Sequence, residues 1–265
     1  VRAGGDSSGR RIAAGAPVAQ RERIVIQVQN LTKRYRDLVA VDNLNFEVKK
    51  GEILGFLGPN GAGKSTTMKI LTGFMPASSG TARVAGFDVF ENPIEVKRRV
   101  GYMPEIPPLY LEMTVYAYLK FCAQIKGVPG KRIGDEVERV ANLTGCAEVI
   151  ERVIANISKG YRQRVGLAQA ILNDPDVLIL DEPSSGLDPQ QNRQMRQLIK
   201  SLSGRHTIIL STHVLPEVTS TCQKVLIINR GRMIAHDDLE SLTAKHQTSD
   251  HQVSLEEIFI KLTSE

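Results

Sequence analysis

Four groups of residues in this chain could act on a phosphate ester. Gly58-Pro59-Asn60-Gly61-Ala62-Gly63-Lys64-Ser65-Thr66 has two glycines at the ends of a five-step run, closed by Lys and then Ser/Thr. Glycine permits backbone conformations that a side chain forbids, so successive N–H groups can converge on phosphate oxygens where a helix begins. Lys64 would then reach the outer phosphates, and Ser65 would offer its hydroxyl to a magnesium ion. The second group, Asp181-Glu182, closes the apolar run Val177-Leu178-Ile179-Leu180. Two acids at such a strand end are costly unless they meet a metal or a proton-transfer task, with Asp181 suited to magnesium and Glu182 to polarising a water. The third is His213, after the buried-strand pattern Thr207 to Leu210. It could orient an attacked phosphate or serve as a structural hydrogen-bonding group. The fourth is Ser158, opening a helix from Lys159 to Leu172 that contains no acid. Such a helix start attracts anions, although ordinary N-capping explains this stretch equally simply.

These groups need rigid supports, and the hydrophobic periods supply them. Ile53 to Leu57 reads as a buried strand directly before the glycine-rich loop, and Thr67 to Thr72 as a helix that Gly73 ends. Upstream, Ile26 and Val28, then Leu44, Phe46 and Val48, alternate with polar residues and predict half-exposed antiparallel strands. The stretch from Leu31 to Asp37 between them reads as a polar connection. Its Tyr35 could offer a ring face to adenine or pack on the sheet edge. Gly80 to Val89 predicts a strand pair, Pro93 to Arg99 a short helix with proline in its first turn, and Val100 to Met103 a strand ending at Pro104-Glu105. Thr114 can cap a helix to about Lys126, and helical spacing continues from Lys131 to Leu143. Asp188-Pro189 opens another helix, Asn229-Arg230-Gly231 joins a hairpin, and Leu255, Ile258, Phe259 and Leu262 share one face of a closing helix. The expected fold is α/β: a P-loop NTPase core of mixed sheet and flanking helices, an antiparallel β subdomain, and a helical insert. Its core spans about 23–105 and 175–245, the helical subdomain about 106–174, and the C-terminal helix about 253–263.

Composition sets outer bounds. With 265 residues the chain can bury a large core, and its 42% hydrophobic content contains no run long enough for a membrane span and no secretory layout. The expected location is cytoplasmic. Cys122, Cys146 and Cys222 are widely separated and lack metal-ligand spacing, so they read as reduced thiols that pack. Arg2, Arg10, Arg11, Arg21 and Arg23 supply much of the basic excess behind the net charge of +5, and residues 1–22 form a leader rich in Gly, Ala and Ser that is expected to be disordered and solvated. Such a basic arm could also lie near anionic lipid or nucleic acid; no specific nucleic-acid partner is expected.

Taken together, the motifs resemble the ATP-binding cassette (ABC) ATPases from Ile24 to the C-terminus. The resemblance implies ATP and Mg2+ as ligands, Tyr35 as the adenine-stacking aromatic, Gly58 to Thr66 as the Walker A loop, and Leu180-Asp181-Glu182 as the end of Walker B with Glu182 as general base. It implies that Asp188 closes the D-loop, that His213 is the switch histidine, and that Ile157 to Tyr161 is the family signature. Lys159 and Tyr161 depart from the usual Leu-Ser-Gly-Gly-Gln, leaving Ser158 and Gly160 as the anion-binding core. Glu105 stands where a magnesium-ligating glutamine is usual, so direct, water-mediated and partner contacts all remain open for it. These departures look like those of the drug, lipid and polysaccharide exporter branch, as does the short C-terminal helix in place of a regulatory domain. The implied protein is an ATPase subunit, peripheral on the cytoplasmic membrane face, that drives a separate permease docked near Glu105 to Thr114. It would pair head-to-tail with a second ATP-binding subunit. The alternative is a soluble ABC-family ATPase acting on ribosomes or DNA, whose members usually carry two cassettes or a long coiled-coil insertion. This sequence has one cassette and no heptad run.

Overall fold

The apolar alternations near the N-terminus form one long hairpin. In the computed structural model, which describes residues 23–246 and 253–264, β1 (Ile24–Tyr35) and β2 (Leu38–Lys49) pair antiparallel. Ile26 lies opposite Val48, Val28 opposite Phe46 and Leu31 opposite Leu44, which brings the apolar side chains onto one buried face. The segment from Leu31 to Asp37 is therefore not a polar connection: it is the distal half of β1 followed by a two-residue turn. Asn30 and Asn43 adopt positive φ (50° and 51°) where the register shifts. Such bulges restart the alternation, so a simple period-two reading loses the strand halfway along. The basic leader expected at residues 1–22 lies outside the described residues, as do 247–252 and 265.

β1 also pairs with β4 (Ser79–Val84), which pairs with β5 (Phe87–Asp88), giving a four-stranded antiparallel sheet in the order β2-β1-β4-β5. A second sheet has six strands. After β3 (Ile53–Leu57), α1 (Lys64–Leu71) and α2 (Pro93–Arg99) come β6 (Val100–Met103) and the helices α3 (Val115–Ile125), α4 (Ile133–Thr144) and α5 (Lys159–Ile171). Then follow β7 (Val177–Asp181), α6 (Pro189–Ser201), β8 (Thr207–Thr212), α7 (Leu215–Thr221), β9 (Lys224–Asn229), β10 (Arg232–Asp238), α8 (Leu239–His246) and α9 (Leu255–Thr263). The order is β10-β9-β3-β8-β7-β6, parallel throughout except for the β9–β10 hairpin.

The continuous apolar runs of β7, β8 and β9 follow from burial on both faces. Leu178, Leu180, Ile208, Leu210, Val225 and Ile227 join a core shared with α3–α7 and α9. Val177, Ile179, Ile209, Leu226 and Ile228 join a core shared with the antiparallel sheet and α1. Successive side chains point to opposite faces of a strand, so one sheet can divide two cores.

Between β6 and β7 the chain is helical. Thr114 caps α3 by accepting from Ala117 N at 3.2 Å, and Ser158 caps α5 by accepting from Tyr161 N at 3.3 Å. The half-buried Lys126 ammonium ties α3 to the C-terminal turn of α5, donating to Gln169 O at 2.6 Å and Ala170 O at 2.8 Å. Burial pulls its pKa down to about 8. At the C-terminus, Ser254 and Glu257 form a reciprocal capping box for α9, whose Leu255 and Ile258 are buried against the helical side of the sheet. Among the described residues the three cysteines are unpaired, and no helix is long and apolar enough to cross a membrane.

Candidate active site

β3, β8 and β7 are adjacent and parallel, so their C-terminal ends open onto one edge. Ligands bind at such an edge in open α/β sheets. From β3 the chain enters the glycine-rich loop, and α1 begins at Lys64 with Gly63 as its N-cap. Gly63 has φ of 105°, and a side-chain carbon there would lie 2.4 Å from Ala40 O. No side chain caps this helix, so its first-turn N–H groups are not spent on one. A cavity of about 560 Å³ lies over the loop, lined by residues 59–66, Tyr35, Leu38 to Ala40 and Arg230. Tyr35 is 42% exposed, with its hydroxyl on Met75 Sδ at 3.0 Å and the Lys33 ammonium 5.2 Å from its ring centre. Another cavity, about 480 Å³, lies between the end of α1 and β4, lined mainly by apolar and small residues with Asp88 and Glu91 among them.

Lys64 is almost wholly buried. Its Nζ donates to Gly58 O at 2.7 Å and to Pro59 O at 3.3 Å, and lies 3.8 Å from Glu182 Oε1. Burial pulls its pKa below the usual lysine value, opposed by the charges of Glu182, Asp181 and Glu105. The ammonium therefore closes the loop while facing three acids.

Asp181 is the last residue of β7 and 3% exposed, and its Oδ1 has no hydrogen-bond partner. Its charge, second to burial, helps push the Tyr102 hydroxyl up to about 12. An orphaned carboxylate oxygen in the interior costs free energy unless a cation meets it. Together with the Ser65 hydroxyl at the opening of α1, this donor set fits Mg2+, which takes few protein oxygens and keeps several waters. No group of three or more His, Cys, Asp or Glu able to hold a metal occurs among the described residues, so the protein would supply only part of any coordination shell. Glu105, exposed, stands two residues beyond β6, whose Met103 lies opposite Leu180 of β7. Its backbone carbonyl accepts from Gln163 Nε2 at 3.4 Å.

Glu182 has positive φ, 50°, a conformation that costs a non-glycine residue free energy. Its N–H bonds to Ser211 O at 2.8 Å, which turns the chain out of β7 and swings the carboxylate toward β8. There Oε1 meets His213 Nδ1 at 2.9 Å, and Oε2 lies 3.4 Å from Thr212 Oγ. The His213 side chain is 55% exposed, so beyond this one bond it is free to meet a ligand.

None of Glu105, Asp181, Glu182, His213, Ser158, Gly160 and Asp188 lines the cavity over the glycine-rich loop; Glu182 and His213 join it through Lys64, whereas Ser158, Gly160 and Asp188 stand at the starts of α5 and α6. Asp188 Oδ1 caps α6 by accepting from Gln191 N at 2.8 Å. Gly160 packs on Gln191, whose Oε1 would be 2.7 Å from an added side-chain carbon. The beginnings of α5 and α6 are thus held together, with Lys159 against Gly186. The structure also adds residues that the sequence reading passed over. Arg230 reaches the cavity from the β9–β10 turn, and Gly231 N bonds to Ala62 O at 2.9 Å. Glu217 is 3% exposed and accepts from Thr212 Oγ at 2.8 Å. Its only sequence signal is that it is the sole charged residue between His213 and Gln223.

A family model described as ABC transporter matches residues 41–185. Over 225 residues the chain is 37% identical to the bacitracin transport ATP-binding protein BcrA of Bacillus licheniformis, covering 84% of this chain and 72% of that protein. It is 36% identical over 242 residues to the probable multidrug ABC transporter ATP-binding protein YbhF of Escherichia coli K12, covering 90% of this chain. The match spans only 41% of YbhF. A solved structure described as the ATP binding subunit of an ABC transporter superposes with a TM-score of 0.80 at 28% identity, covering 90% of this chain and 99% of that one. The chain therefore belongs to the ABC transporter family.

Proposed function

We propose that this cassette binds ATP with magnesium between two copies, or between itself and a second ATP-binding subunit, and hydrolyses it to drive a separate membrane permease on the cytoplasmic face, in the direction of export. The observation that carries the reading is the convergence of Lys64, Glu182 and His213 at the edge where β7 and β8 end. The N–H groups of residues 61–66 and the Lys64 ammonium would hold the outer phosphates, with Tyr35 against the adenine. Ser65 and Asp181 would hold magnesium, with Glu105 acting through water or on the permease. Magnesium held there would supply positive charge that offsets the charge of the outer phosphates.

Glu182 orients a water for in-line attack and accepts its proton. The water oxygen bonds to the terminal phosphorus as the phosphorus–oxygen bond to ADP breaks. His213 fixes the Glu182 carboxylate from one side and presents its exposed ring edge to the terminal phosphate. Ser158 and Gly160, remote from the chain's own cavity, would cover the nucleotide of the partner subunit, and Asp188 would sit at the same interface. Exposed Ile106, Tyr110 and Leu111, in the bend between β6 and α3, would meet the permease. The relatives named for bacitracin and multidrug transport favour a permease over a ribosome or DNA partner, and the permease would select the substrate.

The test is Glu182→Gln. ATP binding stays intact, phosphate release disappears, and an ATP-bound dimer accumulates on size exclusion; undiminished phosphate release would refute Glu182 as the base.

A further inference from the structure

Glu217 is a buried carboxylate to which none of the functions above gives a task. It sits in α7 at 3% exposure, and no lysine or arginine pairs with it among the described residues. Its charge reaches inward: burial first, and Glu217 second, push the Cys222 thiol up to about 12. A carboxylate in such a place is expensive to keep unless it is hydrogen-bonded, and its side-chain partner is Thr212 Oγ at 2.8 Å.

Thr212 is wholly buried, and its oxygen is a junction. It accepts from Val214 N at 3.0 Å, which shapes the turn that carries His213. It lies 2.8 Å from Glu217 Oε2 and 3.4 Å from Glu182 Oε2. A threonine hydroxyl has one hydrogen and two lone pairs. Two carboxylates therefore compete for a single proton donor, and the shorter contact, to Glu217, takes it. Glu182 Oε1 already meets His213 and faces Lys64, so Oε2 is the oxygen with lone pairs to spare for a water.

We infer that Glu217 is a positioning residue: by holding the Thr212 hydroxyl it keeps Glu182 Oε2 free to accept the proton of the attacking water. This rests on Glu182 being the base. Without Glu217 the hydroxyl turns to Glu182 Oε2, a charge-assisted bond that takes one of that oxygen's two lone pairs and lowers its basicity where it is needed as a proton acceptor.

The discriminating experiment compares the full chain as wild type, Glu182→Gln, Glu217→Leu, Glu217→Gln, and Glu217→Leu combined with Thr212→Val. The measurements are phosphate release with Mg-ATP, affinity for a fluorescent ATP analogue, and thermal midpoint. Glu217→Leu is expected to lower kcat roughly tenfold or more with nucleotide affinity unchanged. Glu217→Gln, whose amide oxygen still accepts the hydroxyl, retains most turnover. The double variant, which has no hydroxyl left to turn, regains turnover relative to Glu217→Leu. A purely structural Glu217 would behave otherwise, since turnover would then follow the midpoint across the variants and not the presence of the Thr212 hydroxyl. Turnover in Glu217→Leu equal to wild type, or no recovery in the double variant, overturns the inference while Glu182→Gln remains inactive. Full turnover in Glu182→Gln would instead overturn the assignment of the base. Should Glu217→Leu fail to fold, Glu217→Gln decides the matter alone, because loss of turnover there at unchanged midpoint and affinity contradicts the acceptor role.

Discussion

Replacing Gly63 by Ala separates two physical effects in the phosphate loop when Gly61→Ala is measured beside it. Both glycines have positive φ, 78° at Gly61 and 105° at Gly63. A side-chain carbon at Gly61 would meet nothing within 4 Å, so only the backbone preference is at stake, about 1–2 kcal/mol. At Gly63 the same carbon would stand 2.4 Å from Ala40 O, a backbone atom held within β2. Strain at that φ of about 1–3 kcal/mol and a steric cost of about 1–3 kcal/mol add to roughly 4 kcal/mol. For a chain of this size 1 kcal/mol lowers the melting temperature by about 2–4 °C, so Gly61→Ala should lower it by about 3–6 °C and Gly63→Ala by about 8–16 °C. Scanning calorimetry without nucleotide reads both. Gly63→Ala should also weaken ATP binding by more than roughly tenfold, because Gly63 O accepts the N–H of Thr67 at 3.0 Å and so sets the first turn of α1. Equal shifts for the two variants, or a Gly63→Ala protein that melts and binds ATP like wild type, would refute the reasoning.

Two further outcomes follow from buried charges. Asp181→Asn neutralises a buried oxygen that has no partner, so the protein without magnesium should melt higher, while the gain in ATP affinity between EDTA and magnesium should shrink by roughly tenfold or more; titration of a fluorescent ATP analogue under both conditions checks this. Lys126 has a pKa of about 8 when folded against an ordinary 10.5, so between those values the unfolded chain binds the extra proton and this residue's contribution to stability rises with pH. The difference in melting temperature between wild type and Lys126→Met should therefore move in favour of wild type from pH 8 to 10.5, and a constant difference would count against it.

Much of the architecture was legible because it is local. The loop from Gly58 to Thr66 and the caps Thr114, Ser158 and Asp188 rest on hydrogen bonds within a few residues, the apolar runs ending at Leu57, Leu180 and Leu210 announce burial on both faces by composition alone, and the structure contains them. The second half of β1 was hidden because bulges at Asn30 and Asn43 break the alternation that marks a strand. Glu217 was hidden because a single acid in a short helix has no pattern; its meaning comes from Thr212, a partner on another element.

By itself, then, the sequence determined a phosphate loop on a strand-to-helix turn, two acids and a histidine at strand ends, and a resemblance to the ABC family. Only the tertiary structure decided which of these share one place. The strand order β3-β8-β7 brings positions 64, 213 and 182 together across more than a hundred residues of chain. The same fold places Ser158, Gly160 and Asp188 instead at the joined starts of α5 and α6. The reason is physical: residue spacing records hydrogen bonds and periodicity along the chain, whereas strand order is set by burying two faces of one sheet at once, a property of the whole core.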